Sequence, residues 1–105
     1  MKFLFSNKKK FPDPLDTAVY TTTHVINENS LIILVSHELD GDWQFMGAEP
    51  IEDYRKIAMI VGLGQLIKKD KSILKVADLP RGYRATRMSK KDKWEIIKLN
   101  ILMKK

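Results

Sequence analysis

A chain of 105 residues, 44% apolar and 30% charged, has the make-up of one globular domain with a single modest core. It contains no cysteine, which excludes a disulfide framework and a thiolate zinc site and makes the cytoplasm the default expectation. The net charge of +6 is unevenly spread: residues 1–12 carry +4, residues 13–64 carry −7 and residues 65–105 carry +9. An acidic middle between basic ends suits electrostatic steering toward a charged partner rather than a uniformly basic nucleic-acid face.

The chain opens Met1-Lys2-Phe3-Leu4-Phe5, but the apolar run stops at Ser6. A secretory signal needs about 7–15 apolar residues and a membrane span about 20. The expectation is therefore an untargeted chain without a span. Residues 1–16 read as a basic, proline-containing lead-in, since Pro12 and Pro14 favour extended backbone. Phe3 and Phe5 alternate with Leu4 as in a short edge strand. The domain proper is expected over residues 17–105.

Residues 17–26 are rich in β-branched and aromatic side chains and predict a strand. Asn27 to Ser30 reads as a turn. Leu31 to His37 predicts a second strand, Leu39 to Gly41 a tight turn, and Asp42 to Met46 a third strand. Three strands in succession suggest a meander. Trp43 and Phe45 share parity, so they belong on one face and are expected in the core.

Ile51 to Lys56 has helix-starting character, with Glu52 and Asp53 in the favoured first turn. Ile57 to Leu63 is short and Ile/Val-rich, so a buried strand is expected. Gln65 to Lys75 is helical, with Asp70 or Ser72 placed to cap a second turn. Leu79-Pro80-Arg81-Gly82 reads as a β-turn with proline second and glycine fourth. Tyr83 to Met88 then alternates. Trp94 to Met103 fits either period, and a strand from Trp94 is preferred. The class is α+β: a single domain with an antiparallel meander of four to six strands and one or two short helices on one face.

Chemistry-bearing patterns are sparse. His24 and His37 are the only histidines, each expected half-exposed at a strand end. They could meet across neighbouring strands and hold a metal with Glu38 or Asp40, but nothing in the spacing demands it, so no metal and no cofactor are expected. Asp40-Gly41-Asp42 lacks the oxygen ligands of a calcium loop and is explained by turn chemistry. Ser36 and His37 are adjacent, so on a strand they point to opposite faces and make no nucleophile–base couple. Gly62-Leu63-Gly64 lacks the lysine of a phosphate loop. The expectation is that the chain is not an enzyme.

Two binding surfaces remain. Glu38, Asp40, Asp42, Glu49 and Glu52 place acidic charge around the expected hairpin, a surface for a basic protein partner. Arg81, Arg84, Arg87, Lys90, Lys91 and Lys93 make the C-terminal third basic, the basis of an alternative nucleic-acid-binding reading. Trp43, Phe45 and Tyr83 form core more readily than a base-stacking platform.

A strand ending in Val35-Ser36-His37 is followed by Asp40-Gly41-Asp42-Trp43-Gln44-Phe45, then Gly47-Ala48-Glu49 and Val61-Gly62-Leu63-Gly64. Asp70, Leu79-Pro80-Arg81-Gly82, Ala85 and Arg87 come later. With its W-x-F strand and later L-P-x-G turn, roughly residues 17–88 resemble a family of small bacterial domains of unknown function grouped with predicted immunity proteins of polymorphic toxin systems. The resemblance implies a small α+β protein that binds and neutralises a bacterial toxin. It implies no catalytic residues.

Overall fold

The computed structural model describes residues 9–49 and 54–99, the Tyr54 side chain apart. Strand β1 (Ala18–Thr22) leads into helix α1 (Thr23–Asn27), followed by β2 (Leu34–His37) and β3 (Trp43–Met46). Helix α2 (Tyr54–Ile57), β4 (Ala58–Gly62) and α3 (Leu63–Lys69) come next. A 3-10 helix (Lys71–Val76), β5 (Tyr83–Thr86) and β6 (Glu95–Lys98) complete the order. One six-stranded sheet runs β4-β1-β3-β2-β5-β6. Every neighbouring pair is antiparallel except β1 and β3, which run parallel through Tyr20 and Gln44. The expected α+β domain is present. No helix among the described residues is long and apolar enough to cross a membrane.

The meander does not form. The strand expected over 17–26 ends at Thr22, whose side chain caps α1 by accepting from the Val25 N–H at 3.3 Å. Glu28 N–H and Ser30 N–H both donate to the His24 carbonyl, and Asn29 turns the chain at φ 55. The helix thus consumes the residues a β1–β2 hairpin would need. The chain returns one strand further out, and β3 fills the gap. The Thr21 hydroxyl bonds the Phe45 carbonyl at 2.8 Å across that parallel seam.

The β2–β3 hairpin forms as its sequence predicts, with Val35 opposite Phe45 and His37 opposite Trp43. Gly41 N–H donates to the Glu38 carbonyl at 2.9 Å, and Glu38 N–H to the Asp42 carbonyl at 2.8 Å. Gly41 adopts φ 98, a conformation that glycine reaches without Cβ strain.

Strand β4 is an outer strand among the described residues rather than a buried one. Val61 packs against the core, while Ile60 on the opposite face is 63% exposed. Helix α3 starts earlier than expected, at Leu63, whose N–H donates to the Thr17 carbonyl. Asp70 then breaks it and caps the 3-10 helix by accepting from Ser72 N–H at 2.9 Å, as its position predicts. The turn before β5 is shifted by one residue: Tyr83 N–H bonds the Pro80 carbonyl. Proline is therefore first and glycine third, where φ 86 demands it. Strand β6 begins at Glu95, with both Ile96 and Ile97 about half exposed.

The core lies between one sheet face and α1, α3 and the 3-10 helix. Val19, Val35, Trp43, Phe45 and Ala85 meet Val25, Leu63, Leu66, Ile73 and Val76 there. The described part of the lead-in packs on this core. Phe11 is buried and packs edge-on to Trp43 with ring centroids 4.9 Å apart, and Asp13 accepts from the Trp43 indole N–H at 3.2 Å. Phe11 and Asp13, read from the sequence as lead-in, thus pack on the same core as residues 17 onward. The Phe3–Phe5 strand, the helix start at 51–53 and the end of the C-terminal strand lie outside the described residues.

Candidate functional site

The acidic candidates separate. Glu38, Asp40 and Asp42 lie together at the tip of the β2–β3 hairpin. Asp40 accepts from the Asp42 N–H at 3.0 Å, and Glu38 accepts from the Ser36 hydroxyl. The Arg81 guanidinium lies against this tip: a Cβ on Gly41 would stand 2.9 Å from its Nη2. Glu49 follows β3 at the opposite end of the hairpin, where it accepts from the Ser30 hydroxyl. That hydrogen bond, a backbone N–H and the nearby His24 hold its carboxyl below the usual carboxylate range. Glu52 lies outside the described residues. The expected group of five is thus a tip of three plus a distant Glu49.

The basic candidates separate as well. Arg81 sits at the hairpin tip. Arg84 stands opposite Ser36, one residue from the buried Ala85, and so lies on the sheet face away from the core. Arg87 is only 4% exposed, and what it presents lies in the wall of the cleft described below, its guanidinium turned to partners inside the fold. Its Nε and Nη2 donate to the Ile32 carbonyl at 3.0 and 2.8 Å, and its Nη1 to the Ser72 hydroxyl at 2.8 Å. Nη2 also reaches Asp70 Oδ2 at 3.0 Å. The Ser72 hydroxyl in turn donates to Asp70 Oδ1 at 2.6 Å. Burial opposes ionisation of Asp70, but the Ser72 hydrogen bonds and the Arg87 charge outweigh it and hold the carboxyl below its usual range.

Lys90, Lys91 and Lys93 do come together, in the turn between β5 and β6. They line a cleft of about 580 Å³ together with Lys9 and Lys75. Val76, Leu79, Pro80, Trp94 and Ile96 give the cleft apolar walls. Lys9 is engaged, donating to the Lys75 carbonyl at 3.1 Å and to Asp78 at 3.2 Å. Trp94 is held by the Arg87 guanidinium, 4.1 Å from its ring centroid. Its indole N–H is buried with no acceptor. Lys9 and Lys75 escape sequence reasoning because 66 residues separate them. The only signal was their shared charge.

His37 ends β2 as expected but is buried rather than half-exposed, and His24 stands in a helix rather than at a strand end. His24 belongs to α1, 3.3 Å from Glu28. His37 is buried, stacked on Trp43 at 3.8 Å between ring centroids. Its Nδ1 is 2.7 Å from the Leu79 carbonyl, which can only accept, so Nδ1 carries a proton. Among the described residues, no three His, Cys, Asp or Glu side chains gather to hold a metal ion.

No family model, curated protein or solved structure matches the chain.

Proposed function

We propose that the chain is a non-catalytic protein-binding module that meets a basic partner through the hairpin tip, in the manner of an immunity protein neutralising a bacterial toxin. The observation that carries this reading is the stiffness of the tip. Three carboxylates stand on one turn whose backbone is closed by two hydrogen bonds and an Asp40 side-chain bond. A preordered charged surface loses little entropy on association, and it speeds encounter with an opposite charge. Turn chemistry accounts for Asp40 and Gly41 but not for a further exposed acid at Asp42.

The test is co-expression with the product of the gene immediately upstream. The expected result is a growth-inhibiting product whose effect this chain relieves, and relieves less well as the Glu38→Gln/Asp42→Asn variant. Stopped-flow association with that product should be slower for the variant and less dependent on salt. Equal rates at two ionic strengths would move the contact away from the tip. A neighbouring product that neither inhibits growth nor binds would remove the immunity reading.

The clustering of Lys90, Lys91 and Lys93 with Lys9 and Lys75 favours a second reading, nucleic-acid binding. Arg81 and Arg84 lie outside that cleft, and Arg87, which lines it, is paired with Asp70. A gel shift with random oligonucleotides at low salt tests it, and a steep loss of binding with added salt is the expected signature.

A further inference from the structure

We infer that the cleft between the 3-10 helix and the β5–β6 turn binds a small phosphorylated ligand with an aromatic or apolar body, of mononucleotide size. This goes beyond the partner reading above and does not depend on it. The volume, about 580 Å³, falls in the range of small-molecule sites, roughly 300–1,000 Å³. The lining is of two kinds. Leu79 and Trp94 bring apolar and aromatic residues to it, while Lys75, Lys90, Lys91 and Lys93 bring basic ones. A ligand that is apolar at one end and strongly anionic at the other matches both.

The charge balance points the same way. Of the two acids lining the cleft, Asp78 is paired with Lys9, which leaves Asp92 against four lysines. Lys90 approaches Asp70 only to 4.0 Å. That excess of positive charge suits a phosphate dianion, which lysines bind as point charges without strict geometry. Trp94 adds an independent observation. Its indole N–H is buried without an acceptor, a polar donor that the fold leaves unmet on a residue of the cleft wall.

A polymer fits less well. Binding a nucleic-acid strand needs a basic track that follows the backbone. Beyond Pro80 the next basic residue, Arg81, lies against the acidic tip, and Arg84 is on the other face of the sheet.

The experiment is calorimetric titration of the whole chain with adenosine monophosphate, inorganic phosphate and a single-stranded oligonucleotide. Trp94 fluorescence is followed in parallel, since Trp43 is only 1% exposed and stays shielded. Stoichiometric binding of the mononucleotide, tighter than that of phosphate and accompanied by a change in tryptophan emission, is expected. The Lys91→Glu/Lys93→Glu variant replaces exposed side chains, so it should fold normally. It should bind at least about tenfold more weakly, the effect of losing one charge-assisted contact. Ile96→Ala should weaken the mononucleotide but not phosphate. Binding of phosphate and mononucleotide with equal affinity would overturn the role of the apolar wall. Binding of the oligonucleotide alone would overturn the small-ligand inference in favour of a polymer.

Discussion

Arg87 Nη2 lies 3.0 Å from Asp70 Oδ2, with 1% of the arginine side chain and 9% of the aspartate side chain left in contact with solvent. The pair ties the residue just after β5 to the cap of the 3-10 helix, and the Ile32 carbonyl joins it to the approach to β2. A guanidinium so deeply buried is tolerable only because Ile32, Ser72 and Asp70 satisfy its donors.

Removing either partner should therefore cost far more than a surface ion pair. Arg87→Ala strands the Asp70 carboxylate and should lower the unfolding free energy by about 3–5 kcal/mol. An Arg87→Met/Asp70→Leu double variant should lose less than the sum of the two single changes, because it leaves no charge unpaired. Urea denaturation of Arg87→Ala, Arg87→Met, Asp70→Leu and the double variant checks this. A loss under about 1 kcal/mol for Arg87→Ala would place the pair with exposed ion pairs instead.

The same pair predicts an acid sensitivity. The folded-state pKa of Asp70 is below its unfolded value of about 3.9. The folded state therefore binds fewer protons, and the contribution is complete above about pH 5 and lost as pH falls through the folded value. Urea midpoints measured from pH 7 to pH 3 should fall less steeply for Asp70→Asn than for the wild type, although that variant starts lower. Parallel acid slopes would show that Asp70 titrates without coupling to folding.

Trp43 stacks on His37, meets Phe11 edge-on and donates to Asp13. Trp43→Ala should cost about 3–5 kcal/mol, the range for emptying a core aromatic site. It should also release the 11–13 segment, readable as faster proteolysis there. A stable variant that has lost only ligand binding would overturn the core role.

Gly41 combines φ 98 with the Arg81 guanidinium 2.9 Å from where a Cβ would stand. Gly41→Ala should destabilise the hairpin by about 1–2 kcal/mol through backbone strain. Because Arg81 must shift as well, an Arg81→Ala background should recover part of that loss. An unchanged cost in that background would assign the whole effect to φ.

Local sequence determined the parts of this protein that short-range physics governs. Period-2 alternation put Trp43 and Phe45 in the core, and the Asp-Gly pair placed the hairpin turn. Asp70 marked the break between α3 and the 3-10 helix because an aspartate caps whatever follows it. Charge segregation along the chain was equally legible. The strand composition of residues 17–26 misled because threonine favours both strands and helix caps, and the three consecutive threonines at 21–23 serve both in turn. Only the tertiary structure decided which charges share a surface. Strand order set β3 beside β1, sent Arg84 and Arg87 to different environments and split Glu49 from the tip. It also brought Lys9 and Lys75 beside the lysines of the β5–β6 turn. Strand order and burial depend on contacts between residues far apart in sequence, and their energies arise only once the core has closed around Trp43 and Phe45.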